Sequence, residues 1–357
     1  MSSRKKVSLL SAGLSAGLYF AYKFISNKIK NKENKEVIIE TSSKIEGDVT
    51  VYEPIVKKKT FGTISKDSNL RKILRYGTFP TIIGVGTFSI LYLPKKGYNQ
   101  AKVASVVIVS IKVLIYLLEQ IIPRRDDWNV TDGKEVQDLL HTIIGTFVGA
   151  GLGKLTNDFV MSYLHQELFE KRGIKTWPNQ LPYIVQIPMV FLLADLGRYI
   201  QHRLMHQYAS LWKYHELHHD VDKMGVLKTS RSHITERFFQ AVSLFGVLSL
   251  LGASKTPVEI YMVSNSILGM IDHSNLDIDL GKLTYIFTGP AEHHIHHSRD
   301  MKESNTNFGS ALVVWDILFG TYTDPRKFPD SPVELGVDGE LPQTFKEQFM
   351  MPFYSNN

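Results

Sequence analysis

Nine of this chain's 13 histidines fall in three five-residue windows, His202 to His206, His215 to His219 and His293 to His297. Random placement would put roughly half a histidine there. Imidazole is the commonest metal-binding side chain, and one ion cannot use so many nitrogens, so the set points to a site for two metals. Residues three and four apart share a helix face. His202 and His206 are spaced i, i+4; His215, His218 and His219 are i, i+3, i+4; His293, His296 and His297 repeat that pattern. Each window is expected to aim two or three imidazoles at one point. Asp195 and Tyr199 continue the stripe of His202 and His206 upstream. A carboxylate in an apolar span needs a partner, either a ligating histidine's second N–H or a helix-packing hydrogen bond, and the sequence leaves both open. His233 and His273 stand alone, and on spacing each reads as a structural histidine, as do His141 and His165. His294 occupies a spacer position.

Other chemistries compete for some of these residues. His215-Glu216-Leu217-His218-His219 contains H-E-x-x-H, the zinc metalloprotease pattern with Glu216 as base. That reading leaves the first and third windows unexplained. A histidine-rich metal transporter or binding protein would need ligands inside the spans, whereas these windows lie at span ends and in loops. Gly149 to Lys154 suggests a phosphate loop, but Val148 and Leu155 occupy positions that need glycine and a hydroxyl; a small-residue helix-packing surface is the better reading. The chain has no cysteine, which excludes disulfides, thiolate ligands and iron–sulfur ligation.

The elements that must hold the windows are apolar. Hydrophobic runs lie at about 7–26, 77–94, 101–122, 139–153, 180–199, 238–252 and 257–272, against roughly 20 residues per membrane crossing. The expectation is an all-α, polytopic membrane helix bundle with four to six crossings. Residues 1–75 read as an uncleaved N-terminal anchor and a flexible polar segment, 76–175 as N-terminal membrane helices, 176–325 as the catalytic domain and 326–357 as a tail. Gly252 to Pro257 is turn chemistry, so 238–272 should be a hairpin that returns His273 and the third window to the side of the first two. The net charge of +6 sits in loops such as Arg71 to Arg75, which fits cytoplasmic loops near anionic lipid. No base-reading or stacking face accompanies the lysines, so no nucleic-acid partner is expected.

Taken together, the motifs resemble the fatty acid hydroxylase/sterol desaturase superfamily of membrane di-iron enzymes. Asp195 to His206 (DLGRYIQHRLMH) is similar to its first-box helix, Thr229 to His233 (TSRSH) to its Arg-x-His element, and Asp272 to Asn275 (DHSN) to its His-Ser-Asn. Asn307 to Gly309 (NFG) and Trp315 to Tyr322 (WDILFGTY) resemble its closing signature. The match covers about 180–325. The resemblance implies membrane helices under a histidine-rich cytosolic metal-binding cap. It implies an O2-dependent oxidoreductase that hydroxylates or desaturates a lipid, a sterol or a fatty-acyl or ether lipid. Two iron ions would be held by His202, His206, His215, His218, His219, His293, His296 and His297, with His233 and His273 as additional ligands and Asp195 behind them. No flavin, nicotinamide or haem module is evident, so electrons are expected from an external donor, a cytochrome b5-like protein or a ferredoxin. The expected location is the endoplasmic reticulum in a eukaryote or the inner membrane in a bacterium; the C-terminal Phe353 to Asn357 carries no recognisable retention signal.

Overall fold

The computed structural model describes residues 44–46, 49–51 and 63–354, apart from 130–133, 329–331, 333, 340, 341 and 343. The expected N-terminal anchor lies outside the described residues. A short antiparallel pair, β1 (Lys44–Glu46) and β2 (Val49–Val51), precedes an all-helical body. Long helices follow: α1 (Asn69–Tyr92), α2 (Gln100–Glu119), α3 (Glu135–Phe159), which runs on through a π-helical turn at Val160–His165, and α4 (Tyr183–Gln207). Among the described residues these four elements are long and apolar enough to cross a membrane. Next come α5 (Ala209–His219), α6 (Ile234–Leu250) and α7 (Lys255–Asp272), and then the short helices α8 (Pro290–His296), α9 (Val314–Phe319) and α10 (Phe345–Met350).

The first span starts earlier than composition suggests. Ser68 caps α1 by accepting the Arg71 backbone N–H at 3.3 Å, a standard way to satisfy an orphan donor of the first turn. The basic stretch Arg71 to Arg75, placed in the flexible segment by its charge, is thus the opening of a membrane helix. Arg71 is 2 % exposed because Asp277 and two backbone carbonyls take up its guanidinium.

The core lies between α1, α2 and α7, where Phe79, Ile82, Val107, Ile115, Ile267 and Ile271 interlock. The outer faces of α1 to α4 are apolar and exposed, as at Phe88, Val109, Phe147 and Ile184, the arrangement a helix needs when its solvent is lipid. α3 runs along α6, while α4 packs on both α6 and α7. α4 and α6 cross at backbone distance: a Cβ on Gly197 would run into the Ser243 carbonyl. Gly153 likewise lies against the Phe245 ring, which accounts for part of the glycine-rich stretch as packing.

The α6–α7 hairpin turns at Gly252, which takes φ of +68°. At 17 and 18 residues, its arms reach about 26 Å, slightly less than the roughly 30 Å hydrocarbon core. It returns the chain to the end from which it left. The parity expected from sequence therefore holds, with His273 capping α7 at the same end of the bundle as the tip of α4 and the start of α6.

Candidate metal centre

Four segments deliver the histidines: the last turns of α4 (His202, His206), α5 (His215, His218, His219), the end of α7 (His273), and α8 with its cap (His293, His296, His297). They sort into two nests. Ring nitrogens of His202, His206, His215, His219 and His296 all lie within 4.8 Å of one another, and so do those of His218, His273, His293 and His297. The nests share a wall, since the His219 and His297 rings stack with centroids 4.4 Å apart.

The expectation that each window aims at one point holds for the first window and is overturned for the second and third. In the second and third windows the i, i+4 pair stays in one nest and the i+3 residue goes to the other: His215 and His219 against His218, His293 and His297 against His296; the first window, His202 and His206, stays whole. With 3.6 residues per turn, positions i+3 and i+4 point about 100° apart. A helix wedged between two nests can therefore feed both.

Ring orientation is fixed from behind. Nδ1 of His202 donates to Phe308 O (2.9 Å), of His218 to Arg231 O (2.9 Å), of His273 to Gly269 O (2.8 Å), of His296 to Thr306 O (2.8 Å) and of His215 to Glu236 Oε1 (3.1 Å). These oxygens only accept, so the proton sits on Nδ1 and Nε2 carries a bare lone pair. Yet the bare atoms face one another: His202 Nε2 is 3.0 Å from His215 Nε2, and His218 Nε2 is 3.2 Å from His273 Nε2. His293 Nε2 lies 3.1 Å from Nε2 of both His273 and His297. Both nitrogens of His206 and Nε2 of His296 are buried without a partner.

Buried acceptors turned on each other are costly, and one shared cation satisfies each group. Nitrogens about 3 Å apart form the edge of a coordination shell with metal–nitrogen bonds of about 2.1 Å. The donor set, all imidazole, suits iron, copper, nickel or zinc. Burial, reinforced by neighbouring imidazoles, holds His218, His219, His293 and His297 well below the ordinary imidazole range, and burial sets His296 at about 3. Those five rings are neutral, the form that binds metal.

A second layer braces these contacts. Glu236, in the first turn of α6, takes the His215 proton and a 2.7 Å bond from Gln240. Sequence reasoning missed it, although a carboxylate opening an apolar helix three residues after His233 was a usable signal. Arg231 is fully buried between Asp138 (3.0 Å) and Asp220 (2.6 Å), tying α3 to the carbonyl that orients His218. Asp316 accepts the backbone N–H groups of Phe308 and Gly309, each at 2.8 Å.

Asp195 plays a different part from the histidine partner considered above. Its oxygens accept the Ala311 and Leu312 N–H groups, at 2.8 and 3.1 Å. It clamps the loop whose Phe308 carbonyl orients His202, and so acts on the nest at one remove. His233 is a further correction, since it joins neither nest. Its Nδ1 caps α6 by accepting the Thr235 N–H (3.1 Å) and its Nε2 donates to Phe349 O (2.9 Å), so neither nitrogen is free for a metal. His294 turns away to Ser274 O and the Trp128 ring. His141 and His165 bond Gln348 and Leu250 O and belong to neither nest. Glu216, the base of the protease reading, lies outside both nests.

Comparison with known proteins agrees with this geometry. The family described as fatty acid hydroxylase matches residues 187–321. An ornithine lipid hydroxylase of Rhizobium tropici is 32% identical over 255 residues, covering 70% of this chain and 75% of that protein. An alkylglycerol monooxygenase of Danio rerio is 30% identical over 55% of this chain and 43% of its own length. A methylsterol monooxygenase of Arabidopsis thaliana is 26% identical over 45% of this chain and 54% of its own length. No solved structure matches. The paired nests, the closing signature folded against them and these relatives lead to one conclusion: the chain belongs to the fatty acid hydroxylase/sterol desaturase superfamily.

Proposed function

We propose that this membrane oxidoreductase is a di-iron oxygenase that hydroxylates a C–H bond of a membrane lipid, with the nine clustered histidines as its ligands. The observation that carries the reading is the pair of adjoining nests in which bare, buried imidazole nitrogens face one another, His202 against His215 at 3.0 Å and His218 against His273 at 3.2 Å. Iron held by these histidines would supply the redox chemistry for activating dioxygen. The chain's own residues do the rest. Carbonyls of Gly269, Thr306 and Phe308 and the Glu236 carboxylate fix ring tautomers, and burial keeps bulk water from the reacting atoms.

Hydroxylation is favoured over desaturation because the similar proteins named above are hydroxylases and monooxygenases. A lipid can approach along α9, which turns Ile317, Leu318 and Phe319 outward. Phe319 stacks at 5.3 Å on Tyr199, one turn before His202. Electrons come from a separate cytochrome b5-like protein or ferredoxin. The nests face the cytosol, since Arg71, Lys72, Arg75, Arg124 and Arg125 gather at their end of the bundle.

Mössbauer spectroscopy and metal analysis of the purified chain, coupled with lipid mass spectrometry of expressing cells, test the reading. Two irons per chain are expected, with a lipid that gains one oxygen in wild-type cells but not in His219→Ala cells. A protein that binds only zinc, or an oxygenated lipid equally abundant in both strains, overturns it.

A further inference from the structure

A second polar site lies where α1 enters the bundle, apart from the histidines. Here a cavity of about 280 Å³ is walled by Lys66, Arg71, Lys72, Arg75, Tyr76 and Arg124, with Asp277 at its side. Two of its cations are already matched. Arg71 donates to Asp277 at 2.8 Å and to the carbonyls of Ile64 and Pro123. Arg75 lies 3.4 Å from Asp279 and 3.7 Å from Asp277. Lys66, Lys72 and Arg124 are different: among the described residues none of their charged groups has a hydrogen bond or ion pair. Arg124 is only partly exposed, and its backbone N–H is fixed to Asn275 O at 2.8 Å. It is held at the cavity by the fold rather than left free at the surface.

The cavity's surroundings identify the class of ligand. Ile73 and Tyr76, on the same turns of α1 as Lys72 and Arg75, are 68% and 56% exposed. Beyond them the helix continues outward-facing through Val85 and Phe88, both more than half exposed. Apolar surface of this kind on a spanning helix faces acyl chains, and a tyrosine at its end marks the headgroup level. The cavity therefore opens where the bilayer's polar layer meets its hydrocarbon, on the side of the nests. A soluble anion would have no use for that apolar flank.

We infer that this cavity binds the phosphate headgroup of an anionic phospholipid, with Lys72, Arg124 and Lys66 on the phosphate and the lipid's chains along Ile73 and Tyr76. Its lining includes Asp277, and Asn275, two residues before it and two after His273, accepts the Arg124 backbone N–H. An occupied site thus braces the segment that leads out of the second nest.

The test uses the full chain purified in detergent and titrated, in native mass spectrometry, with dioctanoyl phosphatidylglycerol or dioctanoyl phosphatidylcholine. Wild type is expected to retain one phosphatidylglycerol and to prefer it about ten-fold. The Lys72→Gln/Arg124→Gln variant should bind it roughly 25-fold more weakly, at about five-fold per cation. Lys95→Gln/Lys96→Gln, which removes the same charge at the far end of α1, should bind as wild type does. A large excess of inorganic phosphate should leave the lipid in place. Equal affinity of wild type for the two lipids overturns the proposal, and so does an equal loss in the far-end variant. Displacement by phosphate alone would reassign the cavity to soluble anions. The wild-type preference needs no variant, so a double variant that fails to fold does not protect the idea.

Discussion

Replacing His233 separates the structural reading of this residue from the ligand role that family resemblance implies. Its two ring nitrogens cap α6 at Thr235 and hold Phe349 O, at 3.1 and 2.9 Å. His233→Ala should therefore cost a helix cap, about 1 kcal/mol, and a hydrogen bond worth about another 1 kcal/mol. The combined loss of about 2 kcal/mol corresponds to a drop in unfolding temperature of the order of 5 °C. His233→Asn, whose amide oxygen can still cap, should recover roughly half of that. Neither change should alter the iron bound per chain. His296→Ala, which removes a bare nitrogen from the first nest, should lower it. Metal analysis and thermal unfolding on matched preparations read both quantities. If His233→Ala sheds iron as His296→Ala does, the assignment of its nitrogens to Thr235 and Phe349 is wrong.

Glu236→Gln keeps an oxygen for His215 but removes the charge behind it, and metal affinity should fall about 10- to 100-fold; an unchanged chelator competition curve would count against that role. Asp195→Asn sets an amide donor against one of two backbone donors, at Ala311 or Leu312. It should destabilise the protein by about 1–3 kcal/mol and reduce turnover through the Phe308–His202 contact, which wild-type thermal stability and activity would disprove. Acid should unfold the metal-free protein early. His218, His219, His293 and His297 have folded pKa values below the ordinary value, and His296 lies at about 3. Their contribution is therefore complete above about pH 6.5, the unfolded value, and is lost as pH falls from there towards 3. A melting temperature that does not change between pH 7 and pH 5 would refute this.

Much of the site was legible because metal ligation and helix periodicity act on the same spacing. His202/His206, His215/His219 and His293/His297 each had to share a face, and each pair does share a nest. The hairpin was legible from Gly252 and the length of its arms, which is how His273 could be placed on the right side. The hidden parts are those in which residue type carries no information. Any residue offers the carbonyl that orients a ring, so nothing in the letters marks Gly269, Thr306 or Phe308. Asp195 looked like a histidine's partner because it shares the α4 stripe, yet its oxygens turn to backbone N–H groups 116 and 117 residues away. The charge of Arg71 to Arg75 concealed the start of α1, because a buried arginine with three acceptors looks in sequence like a solvated one.

The division of the second and third windows between two nests also has a consequence in time. As the chain leaves the ribosome, residues 202 to 219 supply four of the five rings of the first nest but only His218 of the four in the second. The missing ring of the first nest, His296, comes 77 residues after His219, a delay of about 4–15 s at usual rates of synthesis. The α6–α7 hairpin must form within that interval, and only its return brings His273 within reach. The order of translation thus favours the first nest as the earlier one to capture an ion, with the second closing behind it.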